Sequence, residues 1–215
     1  MTATLPPPLP ADMERPIKQR RILAVVLFII ISVPCVFCTL FIQPFKVPTG
    51  TMAPTIMPHS CVLTEKLTYK RRPPHRGEII VFKTDELPIH GLSRSTKYIK
   101  RVAGIPGDRI RISPPNLIIN GQPLKEPSIF AVISSSRNGY SGFEPAPPGY
   151  PDAFLTSPTN EVVLGKGEYF VLGDNTKNSL DSRYWGPVPE GNIIGRVVAL
   201  YWPPDRMGSV NRPHK

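Results

Sequence analysis

The chain has 215 residues and a mass of 23.9 kDa, room for one domain with or without an anchor. Its 28 Pro are well over twice the usual share of roughly 5%. Each interior Pro removes a donor and clashes with the preceding turn, which excludes a helical bundle, while 40% hydrophobic content still fills a core and leaves a β-rich fold. Lys and Arg outnumber Asp and Glu by 26 to 16, a net charge of +10. That charge suits anionic surfaces in general, and with no recognition motif beside the basic cluster Lys70, Arg71, Arg72 and Arg76 it predicts no nucleic-acid partner.

Residues 1–21 are read as a cytoplasmic tail, the first 14 of them disordered and rich in Pro (Pro6, Pro7, Pro8, Pro10). From 22 to 42 the chain runs 21 residues without a charge, long enough as a helix at 1.5 Å per residue to cross about 30 Å of hydrocarbon. A cleavable leader has an apolar region of only about 7–15 residues and ends in a small-x-small site. Here the run is longer and ends in Leu40, Phe41 and Ile42, so it is read as a retained transmembrane helix. Arg15, Lys18, Arg20 and Arg21 precede it and only Lys46 follows closely, which puts the N-terminus in the cytoplasm and 43–215 outside.

In that exported region short β-branched or aromatic runs alternate with Gly and Pro: 78–83, 97–103, 109–112, 168–172 and 196–202 read as strands. Asn120-Gly121, flanked by apolar residues, predicts a type I′ hairpin turn. Residues 127–160 shift to Ser, Gly, Pro and aromatics with no lasting periodicity, and read as a flexible inserted loop. Of three Cys, Cys35 and Cys38 fall in the apolar run, and His59, His75, His90 and His214 never take the spacing of two ligands on one helix face, so no metal site is expected.

Three clusters carry reactive groups. In 48–55 (PTGTMAPT) the hydroxyls of Thr49 and Thr51 surround Gly50, where a turn can expose a side chain and offer N–H donors; a plain turn has the same composition. In 97–110 strand alternation puts Tyr98, Lys100 and Val102 on one face and Ile99, Arg101 and Ala103 on the other. A lysine among apolar neighbours is either a surface stem covering an apolar patch or a desolvated amine able to act as a base. In 173–197 (GDNTKNSLDSRYWGPVPEGNIIGRV) Asp181 and Arg183 can form a charge-assisted pair, and Ser179 and Ser182 can hydrogen-bond a neighbouring base.

Taken in order, FIQPFKVPTGTMAPT, RRPPHRGEIIVF, YIKRVAGIPGDRI, GDNTKNSLDSRYWGPV and NIIGRV resemble the bacterial type I signal peptidases, or leader peptidases, over roughly half of the chain. The resemblance implies a mainly β fold, a signal-peptidase-like β-rich catalytic domain attached to one N-terminal transmembrane helix. The implied activity is that of a membrane-bound endopeptidase releasing signal peptides from exported preproteins with a hydroxyl/Lys dyad and no cofactor. By motif position Lys100 matches the general base and Ser179 the residue that orients it. Asp181 and Arg183 match the supporting pair. Thr49, with the backbone N–H of Thr51, matches the oxyanion hole, and Met52, Tyr98 and Ile99 match positions near the substrate pockets.

The implied partners are signal peptides and membrane lipid. The protein is expected to work as a monomer in the plasma (inner) membrane, or in the thylakoid membrane of a cell that has one. One departure stands out: Thr51 occupies the position of the family's nucleophilic Ser. Thr keeps the hydroxyl, but its methyl stiffens the first side-chain torsion and crowds a carbonyl approaching at about 3 Å. The alternative reading is therefore a catalytically silent relative that grips exported polypeptides as an assembly factor.

Overall fold

The computed structural model describes residues 11–85, 87, 96–147, 149–150 and 153–210, without the side chains of 11–18, 34–35 and 37–39. The proline-rich start of the predicted tail, 1–10, lies outside the described residues. The chain divides into two units, Met1–Phe41 and Ile42–Lys215.

The first unit holds one helix, α1 (Ala11–Phe41). It begins within the predicted disordered tail, because Ala11, Met13, Glu14 and Arg15 are residue types of good helix propensity. Among the described residues no helix is long and apolar enough to cross a membrane; the described side chains of α1 run without interruption only from 19 to 33. Those that are apolar, Ile22, Phe28 and Ile31 among them, are exposed.

The second unit is mainly β. Its strands are β1 (Ile42–Lys46), β2 (Cys61–Glu65), β3 (Ile79–Lys83), β4 (Lys97–Gly104), β5 (Arg109–Ser113), β6 (Asn116–Ile119), β7 (Gln122–Pro123), β8 (Val162–Val163), β9 (Glu168–Leu172), β10 (Val188–Pro189) and β11 (Ile193–Trp202). Two short helices, α2 (Ile129–Ser134) and α3 (Ser182–Trp185), complete the set. A seven-stranded sheet runs β1-β2-β11-β3-β4-β9-β10 and a four-stranded sheet runs β7-β6-β5-β8. All five predicted strands form. The Asn120-Gly121 turn forms as well, both residues taking positive φ (51° and 81°) with Ile119 paired to Gln122 across it.

Strand alternation distributes the core. Ile79 and Val81 of β3 join one apolar cluster with Val47, Met52, Ile56 and Val62, whereas Ile80 and Phe82 join another with Val102, Val171 and Trp185. In the same way Tyr169 and Val171 of β9 face one cluster while Phe170 and Leu172 face a third, made with the small sheet and α2. Both faces of these central strands are covered, so their burial does not alternate although their side chains do.

The predicted irregular insert, 127–160, is partly structured. α2 lies inside it and buries Phe130 and Ile133 against Ile110, Ile112 and Leu117. Its six residues are too few for a helical period to stand out in the sequence. Tyr140, Phe143 and Leu155 of the same insert are also buried.

Gly104, at the end of β4, sits where the small sheet meets the large one: a Cβ there would lie 2.2 Å from Ile110 Cδ1, 2.9 Å from Leu164 Cδ1 and 3.0 Å from Phe170 Cβ. Gly104→Ala is expected to lower stability by about 1–3 kcal/mol through overpacking, read as a lower urea midpoint with an unchanged slope.

Candidate active site

The turn that carries Thr51 is fixed at both ends. Val47 N–H donates to Ser60 O (2.8 Å) and His59 N–H to Val47 O (2.7 Å), while inside the turn Ala53 N–H reaches Gly50 O (3.1 Å) and Ile56 N–H reaches Met52 O (2.9 Å). Asn175 clamps it from the facing loop, its backbone N–H on Thr51 O and its side-chain amide on Gly50 O, each at 3.1 Å. Thr51 Oγ1 lies 3.5 Å from Thr49 Oγ1, and among the described residues the Thr51 N–H donates to no backbone carbonyl. Gly50 does not use positive φ. The turn is held by hydrogen bonds and not by glycine's conformational freedom.

Lys100 sits on β4, an inner strand, opposite Ile80 of β3. It is 3% exposed. Burial pushes its amine down to about 8; the nearby Asp181 and Asp174 carboxylates oppose this shift and the Arg183 guanidinium adds to it. The ammonium also lies 5.6 Å from the Tyr98 ring centroid. Of the two sequence readings of this lysine, the desolvated amine is the one the fold adopts. Arg101, next along and on the opposite face, is equally buried and pairs with Asp174 through Nε (2.8 Å) and Nη2 (2.6 Å).

The loop after β9 supplies the other wall. Asp181 accepts Arg183 Nε at 2.8 Å and Nη2 at 3.0 Å, takes Gly173 N–H at 3.1 Å, and caps α3 by accepting Arg183 N–H at 3.3 Å. The predicted Asp181–Arg183 pair is present and fully buried. Ser182 is structural, its hydroxyl accepting Val171 N–H at 3.0 Å. Ser179 is 4% exposed, and its Oγ has no hydrogen-bond partner among the described residues; an unsatisfied buried hydroxyl costs about 1–3 kcal/mol. No hydrogen bond joins Ser179 to Lys100 in this structure.

Thr49, Thr51, Tyr98, Ile99 and Lys100 all line one groove of about 450 Å³, whose further apolar walls include Phe45, Val81 and Leu180. Met52 does not line it: the side chain is fully buried in the cluster that backs Val81. Sequence reasoning passed over Phe45, Leu180, Asp174 and Asn175. The last two lie in the quoted GDN run, and only the fold reveals that they reach Arg101 and the Thr51 turn.

Gly173 is the tightest point of this wall. A Cβ there would stand 2.1 Å from Ser179 Oγ and 2.5 Å from Thr51 O, so only glycine fits against both the Ser179 side chain and the Thr51 carbonyl. Gly173→Ala is expected to leave the secondary structure intact by circular dichroism while lowering the melting temperature and abolishing any reaction at Thr51, because one of the two neighbours must move by about an ångström.

Comparison with known proteins bears on this groove. The family model described as signal peptidase, peptidase S26, matches residues 19–202. A signal peptidase I from Leptolyngbya laminosa is 38% identical over 168 residues, covering 78% of this chain and 72% of that protein. A probable signal peptidase I-2 from Synechocystis is 36% identical over 163 residues, covering 75% and 64%. The thylakoidal processing peptidase 1 of Arabidopsis thaliana is 31% identical over 184 residues, and this chain spans 48% of its length. A match that begins inside α1 and runs through β11 takes in every residue of the groove, and this chain belongs to the signal peptidase, peptidase S26, family.

Proposed function

We propose that this protein is a serine-type endopeptidase that cleaves signal peptides from exported preproteins, with Thr51 as its nucleophile and Lys100 as its base. The observation that carries the reading is Lys100 itself. It is a buried amine pushed down to about 8, on an inner strand, opening into the groove that Thr51 also lines. An amine in that range has enough free base at neutral pH to accept a hydroxyl proton.

The chemistry follows from these groups. Lys100 Nζ takes the Thr51 hydroxyl proton as Oγ1 attacks the scissile carbonyl carbon. The carbonyl oxygen becomes an oxyanion, met by the Thr51 N–H and the Thr49 hydroxyl. Collapse breaks the C–N bond, the leaving amine takes the proton from Lys100, and an acyl ester remains on Thr51. Lys100 then takes a proton from water as it attacks the ester, and returning that proton to Thr51 Oγ1 restores the enzyme. Ser179, buried and with an unspent hydroxyl, is available to orient the amine. The apolar walls at Phe45, Val81, Ile99 and Leu180 suit an extended segment with small side chains before the cleaved bond.

The uncharged run 22–42 serves in this reading as the membrane anchor, with Arg20 and Arg21 on the cytoplasmic side and 43–215 exported to the plasma (inner) or thylakoid membrane surface. The basic charge is less available to nucleic acid than its count suggests. Arg72 and Arg196 bind Glu78, and Arg76 binds Asp108 at 2.9 Å.

The test is cleavage of a preprotein with a small-x-small site by the detergent-solubilised full chain. Wild type is expected to cleave, Thr51→Ala and Lys100→Ala to lose activity by about a thousandfold or more, and Thr51→Ser to gain speed by losing the methyl. Wild type and Thr51→Ala equally inert while Thr51→Ser cleaves would overturn the reading for this chain. The pH dependence has a fixed sign. Lys100 must be neutral, so kcat/KM rises about tenfold per unit as pH climbs toward about 8 and levels above it. A rate that falls over that range would exclude Lys100 as the base.

A further inference from the structure

The insert predicted to be a flexible loop reaches both walls of the groove. Tyr140, 8% exposed, places its phenol oxygen 3.0 Å from Thr55 Oγ1, and the Thr55 hydroxyl donates to Asp174 Oδ2. The direction of this chain is fixed by its far end. Asp174 is held by two N–H groups of Arg101, which is always charged, so its carboxylate only accepts. Thr55 therefore spends its one hydrogen on Asp174, and Tyr140 must donate to Thr55. Thr55 belongs to the turn that carries Thr51, and Asp174 precedes Asn175, which holds Thr51 O and Gly50 O.

The next residues of the insert take hold of the opposite wall. Gly142 O accepts the Thr176 hydroxyl, and Glu144 O accepts Arg183 Nη1 at 2.8 Å. Gly142 itself sits at φ +78°, and a Cβ there would lie 2.7 Å from Pro115 Cβ, so the path of this segment is set by packing. Five consecutive residues thus touch the nucleophile turn at one end and the Ser179–Arg183 loop at the other.

We infer that segment 140–144 is a brace that holds the Thr51 turn against the Ser179–Arg183 loop, and that Tyr140 is a positioning residue for Thr51. The role in catalysis rests on the peptidase reading above; the brace itself does not. It acts through Thr55, so its effect belongs to the placement of Thr51 and not to groove affinity.

The experiment uses the detergent-solubilised full chain, with Tyr140→Phe, Thr55→Val, the double variant, and Val188→Ala on the edge strand β10 as a core control outside the apolar cluster that holds Tyr140. Hydrogen exchange of the Ala53 and Ile56 amides is read by mass spectrometry, and cleavage is read in wild type and in Thr51→Ser. Tyr140→Phe is expected to speed exchange of those amides about tenfold and to lower kcat about tenfold with KM within about twofold. Tyr140→Phe should add little once Thr55→Val is present, because the two act in one chain. The Val188→Ala control should lower the melting temperature without either effect. Unchanged exchange in the 50–56 turn, or a kcat loss equal to the control's, would overturn the brace. Faster exchange in a protein where neither wild type nor Thr51→Ser cleaves would support the brace and remove the peptidase reading.

Discussion

The arrangement of the groove depends on how one guanidinium is satisfied. Arg183, 2% exposed, gives two hydrogen bonds to Asp181 and one each to the carbonyls of Ser179, Thr176 and Glu144. It folds the loop after β9 back on itself and ties that loop to the insert. Asp181 in turn caps α3 and receives Gly173 N–H, which brings Ser179 beside the Thr51 carbonyl. Removing one member of such a pair leaves the other charged and buried, a change that costs about 3–5 kcal/mol. Three carbonyls would lose their donor as well.

Lys100 sits in the field of this network. Burial is the main effect that disfavours its charge, and the Arg183 guanidinium adds to it. The carboxylates of Asp181 and Asp174 partly restore it, and each of those carboxylates is itself engaged by an arginine. The amine is therefore tuned by groups that are already spent on one another, and no carboxylate salt-bridges to it among the described residues. A carboxylate bonded directly to Lys100 would hold the proton and leave no base at neutral pH. The Arg101–Asp174 pair lies on the opposite face of β4 from Lys100, and Asp174 also accepts the hydroxyl of Thr55 in the turn that carries Thr51.

The sequence alone determined a good deal. Strand positions, the Asn120-Gly121 hairpin and the mainly β class follow from period, β-branching and turn chemistry, which are local properties. The ordered motifs identified the family and named Thr51, Lys100, Ser179, Asp181 and Arg183 before any coordinates. What only the tertiary structure decided is non-local. Lys100 could have been a surface stem or a buried amine, since burial of a strand face depends on what packs there. Met52 matched a pocket position yet turns into the core. The insert looked irregular because its contacts, Tyr140 to Thr55 and Glu144 to Arg183, join residues 85 and 39 positions apart. Hydrogen bonds over such separations leave no periodic trace in a sequence, because they are fixed by the closure of two sheets and not by neighbours along the chain.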